Sequence, residues 1–414
     1  MRDEFPIFIA HPELIYLDTA ATAHKPRCVI DALSQFYREE YATVHRAIYR
    51  SSALATEKYN QTRESAKNFL NAVYAEEIVF TRGTTDAINL VAASWGKTFL
   101  GPGDEILISE MEHHSNMVPW QMIAAATGAS LRFIPMNAQG VLQWEGQITP
   151  KTRLVAIAHV SNVTGTVNPI AQIAVAAHKM GALILVDGAQ AAPHMPVDVQ
   201  LLNCDFYTFS GHKCYGPTGV GILYGKKSIL EKMPPIQGGG DMIERVDLDK
   251  STYQLPPLRF EAGTPLIAEV VALKTAFDFI EEIGRDQIAV YENELLLRAT
   301  SGLKEIPGIQ ILGTAPEKGP ILTFHIEGIH PLDLASLLDF KNIAIRSGHL
   351  CAQPTLRAFG KTVAARASFG IYNTPEEVDL FVCAVGQVVN QLQQQSLVFS
   401  QSPSAQPNNL VPFP

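Results

Sequence analysis

Lys213 stands in the run Ser210-Gly211-His212-Lys213, followed by Cys214-Tyr215-Gly216-Pro217-Thr218-Gly219. A lysine amine is the side chain that condenses with an aldehyde cofactor. The apolar run Asp205–Ser210 before it reads as a strand, and a loop at the carboxyl end of a strand is where open α/β sheets bind ligands. Ser210, His212 and the glycines offer hydroxyl, imidazole and backbone donors to a phosphate. Most lysines are solvated surface residues, so this segment needs company before it means chemistry.

Three further segments supply that company. Asp187 ends the apolar run Ala182–Val186, and an acid at a buried strand end is costly without a partner. A protonated pyridine nitrogen is one such partner, and the charge-assisted bond, worth roughly 1.5–3 kcal/mol, would keep the ring electron-accepting. Capping of the next helix is the plainer alternative. Arg82-Gly83-Thr84-Thr85-Asp86 follows another strand and opens a helix, whose free N–H groups suit a phosphate as well as they suit a simple threonine cap. Glu112-His113-His114-Ser115-Asn116 follows a third strand, where an imidazole can lie on a pyridine ring and exchange protons. The paired histidines lack the HEXXH spacing, so no metal is expected. Each signal is modest, but their joint occurrence at the strand ends of one sheet is hard to assign to chance.

A second constellation lies downstream. Cys351, in Ile345-Arg346-Ser347-Gly348-His349-Leu350-Cys351-Ala352, has a glycine-containing loop with arginine and histidine nearby, an environment that favours a thiolate. A buried inert thiol is the commoner fate, and Cys28, Cys204, Cys214 and Cys383 are read that way. Arg366, in a small-residue run, has the planar fork that grips a carboxylate; an internal ion pair would satisfy it equally. Asn162, after another strand, is placed to share that carboxylate.

These residues need a frame to converge. Glu77–Thr81, Glu105–Ser109, Ser130–Pro135, Arg153–His159, Ala182–Asp187, Asp205–Ser210 and Val220–Tyr224 read as strands, most of them continuous apolar runs of the kind buried on both faces, hence a largely parallel sheet between helices. From about residue 265 the texture changes to long helical patterns (Leu266–Glu282, Asp286–Lys304) and strands of a second sheet (Pro320–Glu327, Ile343–Ser347, Ala364–Phe369), closed by a helix from Pro375 to about Gln394. The expected division is an N-terminal segment (1–25) contributing to the small domain, a large domain (26–265), a small α+β domain (266–394) carrying Cys351, and a disordered Gln/Ser/Pro-rich tail (395–414). The chain of 414 residues is 47% hydrophobic and carries a net charge of -9, which gives it no electrostatic reason to seek nucleic acid or an anionic membrane. Five spread cysteines without a CxxC pair argue against a disulfide scaffold. No signal peptide is evident, so a reducing cytoplasm is expected.

The segments YLDTAATAHKP (16–26), VHRAIY (44–49), RGTTDAINL (82–90), MEHHSNMVPWQ (111–121), HVSNVTGT (159–166), VDGAQA (186–191), FSGHKCYGPTGVGILY (209–224), RFEAGTP (259–265) and RSGHLCA (346–352) together resemble the pyridoxal-phosphate-dependent class V aminotransferase superfamily. Within it they are similar to Suf-type, second-group cysteine desulfurases and selenocysteine lyases. The resemblance implies the fold type I of pyridoxal-phosphate transferases, with a seven-stranded sheet. It implies that Lys213 holds pyridoxal 5'-phosphate and moves protons, that Asp187 pairs with the pyridine nitrogen and Gln190 with the ring hydroxyl, and that His113 stacks on the ring. Thr85, Ser210 and His212, with backbone of Thr84, would bind the phosphate, and Thr264 would reach the phosphate of the other subunit of a homodimer. Asn162 and Arg366 would hold the substrate carboxylate, and Cys351 would take sulfur as a persulfide. The substrate would be L-cysteine, and by the same likeness L-selenocysteine; the sulfur would pass to a SufE-type acceptor and a scaffold for iron-sulfur cluster assembly. Two departures stand out: Leu350 replaces the second of two successive histidines, and Asp86 stands where glutamate is frequent. The rival readings are another class V lyase, such as a cystine C–S lyase or a kynureninase-like hydrolase, and an idle assembly scaffold. Simple lyases need no thiol acceptor, and an idle scaffold would be expected to lose Lys213, Asp187 or Cys351.

Overall fold

Strands that are apolar on both faces can only be buried inside a sheet covered on each side. The computed structural model, which describes residues 1–45 and 47–401, builds six of the seven that way and leaves Ser130–Ile134 as a partly exposed edge strand. After a two-residue strand β1 (Ile15–Tyr16), the main sheet takes β2 (Ile78–Thr81), β3 (Glu105–Ser109), β4 (Ser130–Ile134), β5 (Thr152–Ala158), β6 (Leu183–Asp187), β7 (Phe206–Ser210) and β8 (Gly221–Gly225). Their order is β2-β8-β7-β6-β5-β3-β4. Pairings from β7 to β4 are parallel, whereas β8 runs antiparallel to both β7 and β2. The expected parallel sheet is therefore mixed by one strand. Six strands still end on the same edge, which gathers the loops after β2, β3, β5, β6 and β7.

Helices cover both faces. Arg50–Leu70, Ile170–Lys179 and Ile267–Ile283 pack on one, with Tyr59, Phe69 and Phe277 beside Phe209 and Tyr207. Thr84–Val91 and Val118–Thr127 pack on the other, with Ile88 and Trp120 beside Ile106 and Leu154. The helix Ile267–Ile283, expected to open the small domain, thus buries its apolar face on the large sheet. A helical period shows that a face is apolar, not which sheet receives it.

A hairpin of β9 (Ile243–Val246) and β10 (Ser251–Tyr253) was not expected, because most of its residues are exposed and polar. The second sheet contains β11 (Ile309–Leu312) and β12 (Ile321–Ile326); the run expected as one strand, Ile343–Ser347, divides into β13 (Ile343–Ala344) and β14 (Arg346–Gly348), and β15 (Ala364–Ser368) follows. The order β11-β12-β15-β14 is antiparallel throughout. β13 instead pairs in parallel with β1, and Ser368 N donates to Leu17 O at 2.8 Å. The N-terminal segment is thereby stitched to the second sheet, while Phe5 packs against Tyr215, Phe279 and Tyr372.

The last helix runs Pro375–Gln401, so residues 395–401, expected as the start of a disordered tail, continue it; residues 402–414 lie outside the described residues. Among the described residues no helix is long and apolar enough to cross a membrane.

Candidate active site

The carboxyl edge of the main sheet faces the second sheet across a cavity of about 240 Å³. Its walls include Thr84 and Thr85 from the helix start after β2, His113 from the loop after β3, Asn162 from that after β5, Asp187 from the end of β6 and Gln190 from the turn after it. Ser210 comes from the end of β7, His212 and Lys213 from the turn after it, Arg366 from β15, and Leu350 and Cys351 from the loop after β14. Eleven of the twelve residues singled out in the sequence therefore line one cavity. Thr264 does not: it is exposed and outside the lining.

The two ends of the cavity differ in polarity. Asp187 is buried at one end, and its Oδ1 accepts from Ala189 N at 2.9 Å. Burial pushes its carboxyl above the usual range, while the amine of Lys213 pulls it back. Gln190 Nε2 donates to Ala20 O at 2.7 Å, which leaves its buried Oε1 without a partner. At the other end the helix Thr84–Val91 presents its first N–H groups. Gly83 turns the chain into that helix with φ of 146°, and a β-carbon on Gly221 would lie 2.5 Å from Gly83 Cα. This close approach brings Thr84 N and Thr84 Oγ1 each within 2.9 Å of Ser210 Oγ. Thr85 Oγ1 meets Ser115 Oγ at 2.7 Å, and Ser115 Oγ meets His113 Nδ1 at 2.9 Å. Ser115 N also donates to His113 Nδ1, which fixes that nitrogen as an acceptor.

Burial dominates the titrations here. It lowers Lys213 to about 8, with Asp187 opposing the shift and Arg366 adding to it. It lowers His113 to about 3 and His212 to about 4, helped in both by the charge of Lys213. Both imidazoles are neutral at pH 7.

Arg366 is clamped on two sides: Nη1 donates to Asn162 O and Nη2 to Asp18 Oδ1, each at 3.0 Å. Its buried Nε has no partner. Asp18 also meets Arg346 Nη1 at 3.6 Å. Sequence reasoning missed Asp18; its position two residues after β1, at a strand end like Asp187, was the available signal. It also missed Ser115, which lies inside a run read for its histidines.

Cys351 is half-buried in the wall opposite Lys213's sheet. Of the other cysteines, Cys204 and Cys214 are buried as expected, but Cys28 and Cys383 are exposed on the outer faces of the helices Arg27–Gln35 and Pro375–Gln401. Among the described residues no group of three His, Cys, Asp or Glu side chains is placed to hold a metal ion.

The arrangement fits a flat, zwitterionic aldehyde cofactor. An acid faces one end, a helix start with hydroxyls faces the other, an unpartnered amide oxygen flanks the middle, and an amine of lowered basicity stands between. Arg366 lines the cavity with one buried donor, Nε, unspent, as a guanidinium that takes a carboxylate would need.

Comparison with known proteins bears on this geometry. Residues 15–381 match the family model described as aminotransferase class-V. A protein of Halalkalibacterium halodurans named probable cysteine desulfurase is 52% identical over 369 residues, covering 88% of this chain and 91% of its own length. The cysteine desulfurase of Klebsiella pneumoniae is 49% identical, covering 94% of this chain and 97% of its own. The crystal structure of an Escherichia coli cysteine desulfurase superposes with a TM-score of 0.88 at 40% identity, covering 95% and 98% of the two chains.

Proposed function

This chain belongs to the aminotransferase class-V family, and from that premise we propose that it is a pyridoxal-phosphate-dependent cysteine desulfurase, converting L-cysteine to L-alanine with the sulfur carried as a persulfide on Cys351. One observation carries the reading: Lys213, Asp187, Arg366 and Cys351 line the same cavity although they come from two different sheets. The desulfurases above match nearly the whole chain, which supports it further.

When bound, pyridoxal phosphate supplies an electron sink that loosens the bond from Cβ to sulfur. The remaining work falls to the chain. Asp187 would keep the ring nitrogen protonated, Gln190 Oε1 would accept from the ring hydroxyl, and His113 would cover the ring face. Thr85, Ser210, His212 and the start of the helix Thr84–Val91 hold the phosphate. Lys213 would anchor the cofactor, and its free amine would take the proton from Cα of the substrate; an amine lowered to about 8 is neutral far more often at pH 7 than an ordinary lysine. Arg366 and Asn162 hold the substrate carboxylate, which points the sulfur away from them. Cys351 Sγ, as thiolate, attacks that sulfur. The S–S bond forms as the Cβ–S bond breaks, the electron pair stays with the carbon fragment, and proton uptake there gives L-alanine. L-cysteine plus thiol becomes L-alanine plus persulfide, with no oxidant needed.

The same reading assigns a homodimer in which Thr264, exposed and away from its own cavity, serves the partner's phosphate site. It assigns a SufE-type sulfur acceptor and a cluster scaffold downstream, action on selenocysteine, and a reducing cytoplasm in which five free thiols persist.

Mass spectrometry of the protein after exposure to L-cysteine tests this. One added sulfur on Cys351 is expected, and Cys351→Ala should lose both the increment and alanine release. Full alanine release by Cys351→Ala would overturn the sulfur assignment. Lys213→Ala that still turned over would overturn the anchor.

A further inference from the structure

The acceptor thiol rides on backbone that residues with a β-carbon avoid. Gly348, Leu350 and Cys351 have φ of 115°, 54° and 53°. Two adjacent side-chain-bearing residues in the left-handed region persist only with outside support. Polar support comes from the loops of the main sheet: Asn162 Nδ2 donates to Leu350 O and His114 N to Cys351 O, each at 2.8 Å. Within the loop, Cys351 N donates to His349 Nδ1 at 3.1 Å.

Apolar support comes from Leu350 itself. Its side chain is only 6% exposed and packs with Val163, Leu312, Leu356 and Ala364. Val163 belongs to the main sheet's loop after β5, whereas Leu312, Leu356 and Ala364 belong to the second sheet's unit. Leu350 therefore closes the seam between the units and lines the cavity one residue from the thiol. A histidine at this position would set two ring nitrogens among apolar neighbours.

We propose that Leu350 is a positioning residue for the sulfur-transfer step: its side chain, buried in the apolar cluster with Val163 and Leu356, locks the strained loop so that Cys351 stays at the cavity wall. The proposal rests on Cys351 being the sulfur acceptor. The lock acts on the thiol's placement: the link from Leu350 to the Arg366 clamp runs through its backbone oxygen, which accepts from Asn162 Nδ2 and which a change of side chain leaves in place.

The test uses holoenzyme carrying Leu350→Ala and, as volume-conserving rescue, Leu350→Met. The first readout is the rate of Cys351 alkylation by iodoacetamide without substrate, followed on its peptide by mass spectrometry. Leu350→Ala should be alkylated about tenfold faster, the factor that about 1.4 kcal/mol gives, and Leu350→Met within about twofold of wild type. The second readout is steady-state alanine release: kcat of Leu350→Ala should fall about tenfold with KM within about twofold. Should Leu350→Ala fail to fold, Leu350→Val carries the same expectation at about threefold. Alkylation and kcat within twofold of wild type for the truncated variant, or a methionine variant no better than alanine, would overturn the lock. Absence of the persulfide in wild-type protein would instead remove the function reading, and leave the alkylation result standing.

Discussion

Arg366 Nη2 donates to Asp18 Oδ1 at 3.0 Å across 348 residues of chain. The contact joins the N-terminal segment to β15 at the floor of the cavity. Both side chains are largely buried, and burial pushes the Asp18 carboxyl up while Arg366 and Arg346 pull it back. Asp18 thus aims the arginine from the side opposite Asn162 O.

Removing that charge while keeping the shape separates aiming from folding. Asp18→Asn should raise KM for L-cysteine about tenfold with little change in kcat, because a carboxylate clamp contributes to ground state and transition state alike. The visible absorbance of the bound cofactor should not change, since Asp187 and Lys213 are untouched. Steady-state alanine release and an absorbance spectrum check both halves.

The phosphate end predicts a loss of cofactor affinity. Ser210 Oγ reaches both Thr84 N and Thr84 Oγ1. A hydrogen bond to a charged group is worth about 1.5–3 kcal/mol, so Ser210→Ala should weaken pyridoxal phosphate binding roughly 10- to 100-fold. Titration of the apoprotein with the cofactor, read by absorbance, measures this directly.

Close backbone approach beside that site predicts a stability effect. A β-carbon on Gly221 would meet Gly83 Cα at 2.5 Å. Gly221→Ala should therefore force β8 away from the turn that carries Thr84, costing about 1–3 kcal/mol as overpacking does. Thermal melting should show the loss, together with weaker cofactor binding.

Buried carboxyls and histidines set the pH dependence of stability, as Glu112 and His159 illustrate. Glu112, held by Asn116 Nδ2 at 2.7 Å and Ala158 N at 3.0 Å and bonded to the Ser109 hydroxyl, is pushed from 4.5 to about 8 by burial. A carboxyl raised in the folded state contributes stability that is full below pH 4.5 and lost as pH rises through about 8. His159, bonded to Tyr207 at 3.0 Å, is lowered from 6.5 to about 4, so the unfolded chain takes its proton first and stability falls as pH drops from 6.5 to about 4. His24 is lowered by burial in the same way, so the histidines outweigh Glu112 on the acid side. Stability should therefore peak near pH 6.5 and decline by about 2 kcal/mol toward pH 8. Glu112→Gln should flatten that alkaline limb, which melting curves across the range would reveal.

The sequence by itself determined the seven strands of the main sheet. Each lies within one residue of its expected range, and for all but the edge strand β4 the reason is that a strand buried on both faces is almost continuously apolar and its polar flanks mark where it leaves the core. For the same reason it determined Asp187 and Lys213 as a pair, since side chains just past such strands converge on one edge. The antiparallel sense of β8 was not legible, because burial does not depend on strand direction. Nor was the seat of the helix Ile267–Ile283, since an apolar face does not name its receiver. Tertiary structure alone decided the other half of the site. Asp18, Arg366 and Cys351 meet the sheet's edge only after β1 pairs with β13 and the second sheet docks across the cavity. Those contacts join residues hundreds of positions apart, and no local period or motif encodes a partner at that distance. The left-handed backbone at Leu350 and Cys351 belongs to the same class: it exists because Asn162, His114 and Val163 hold it from another part of the chain.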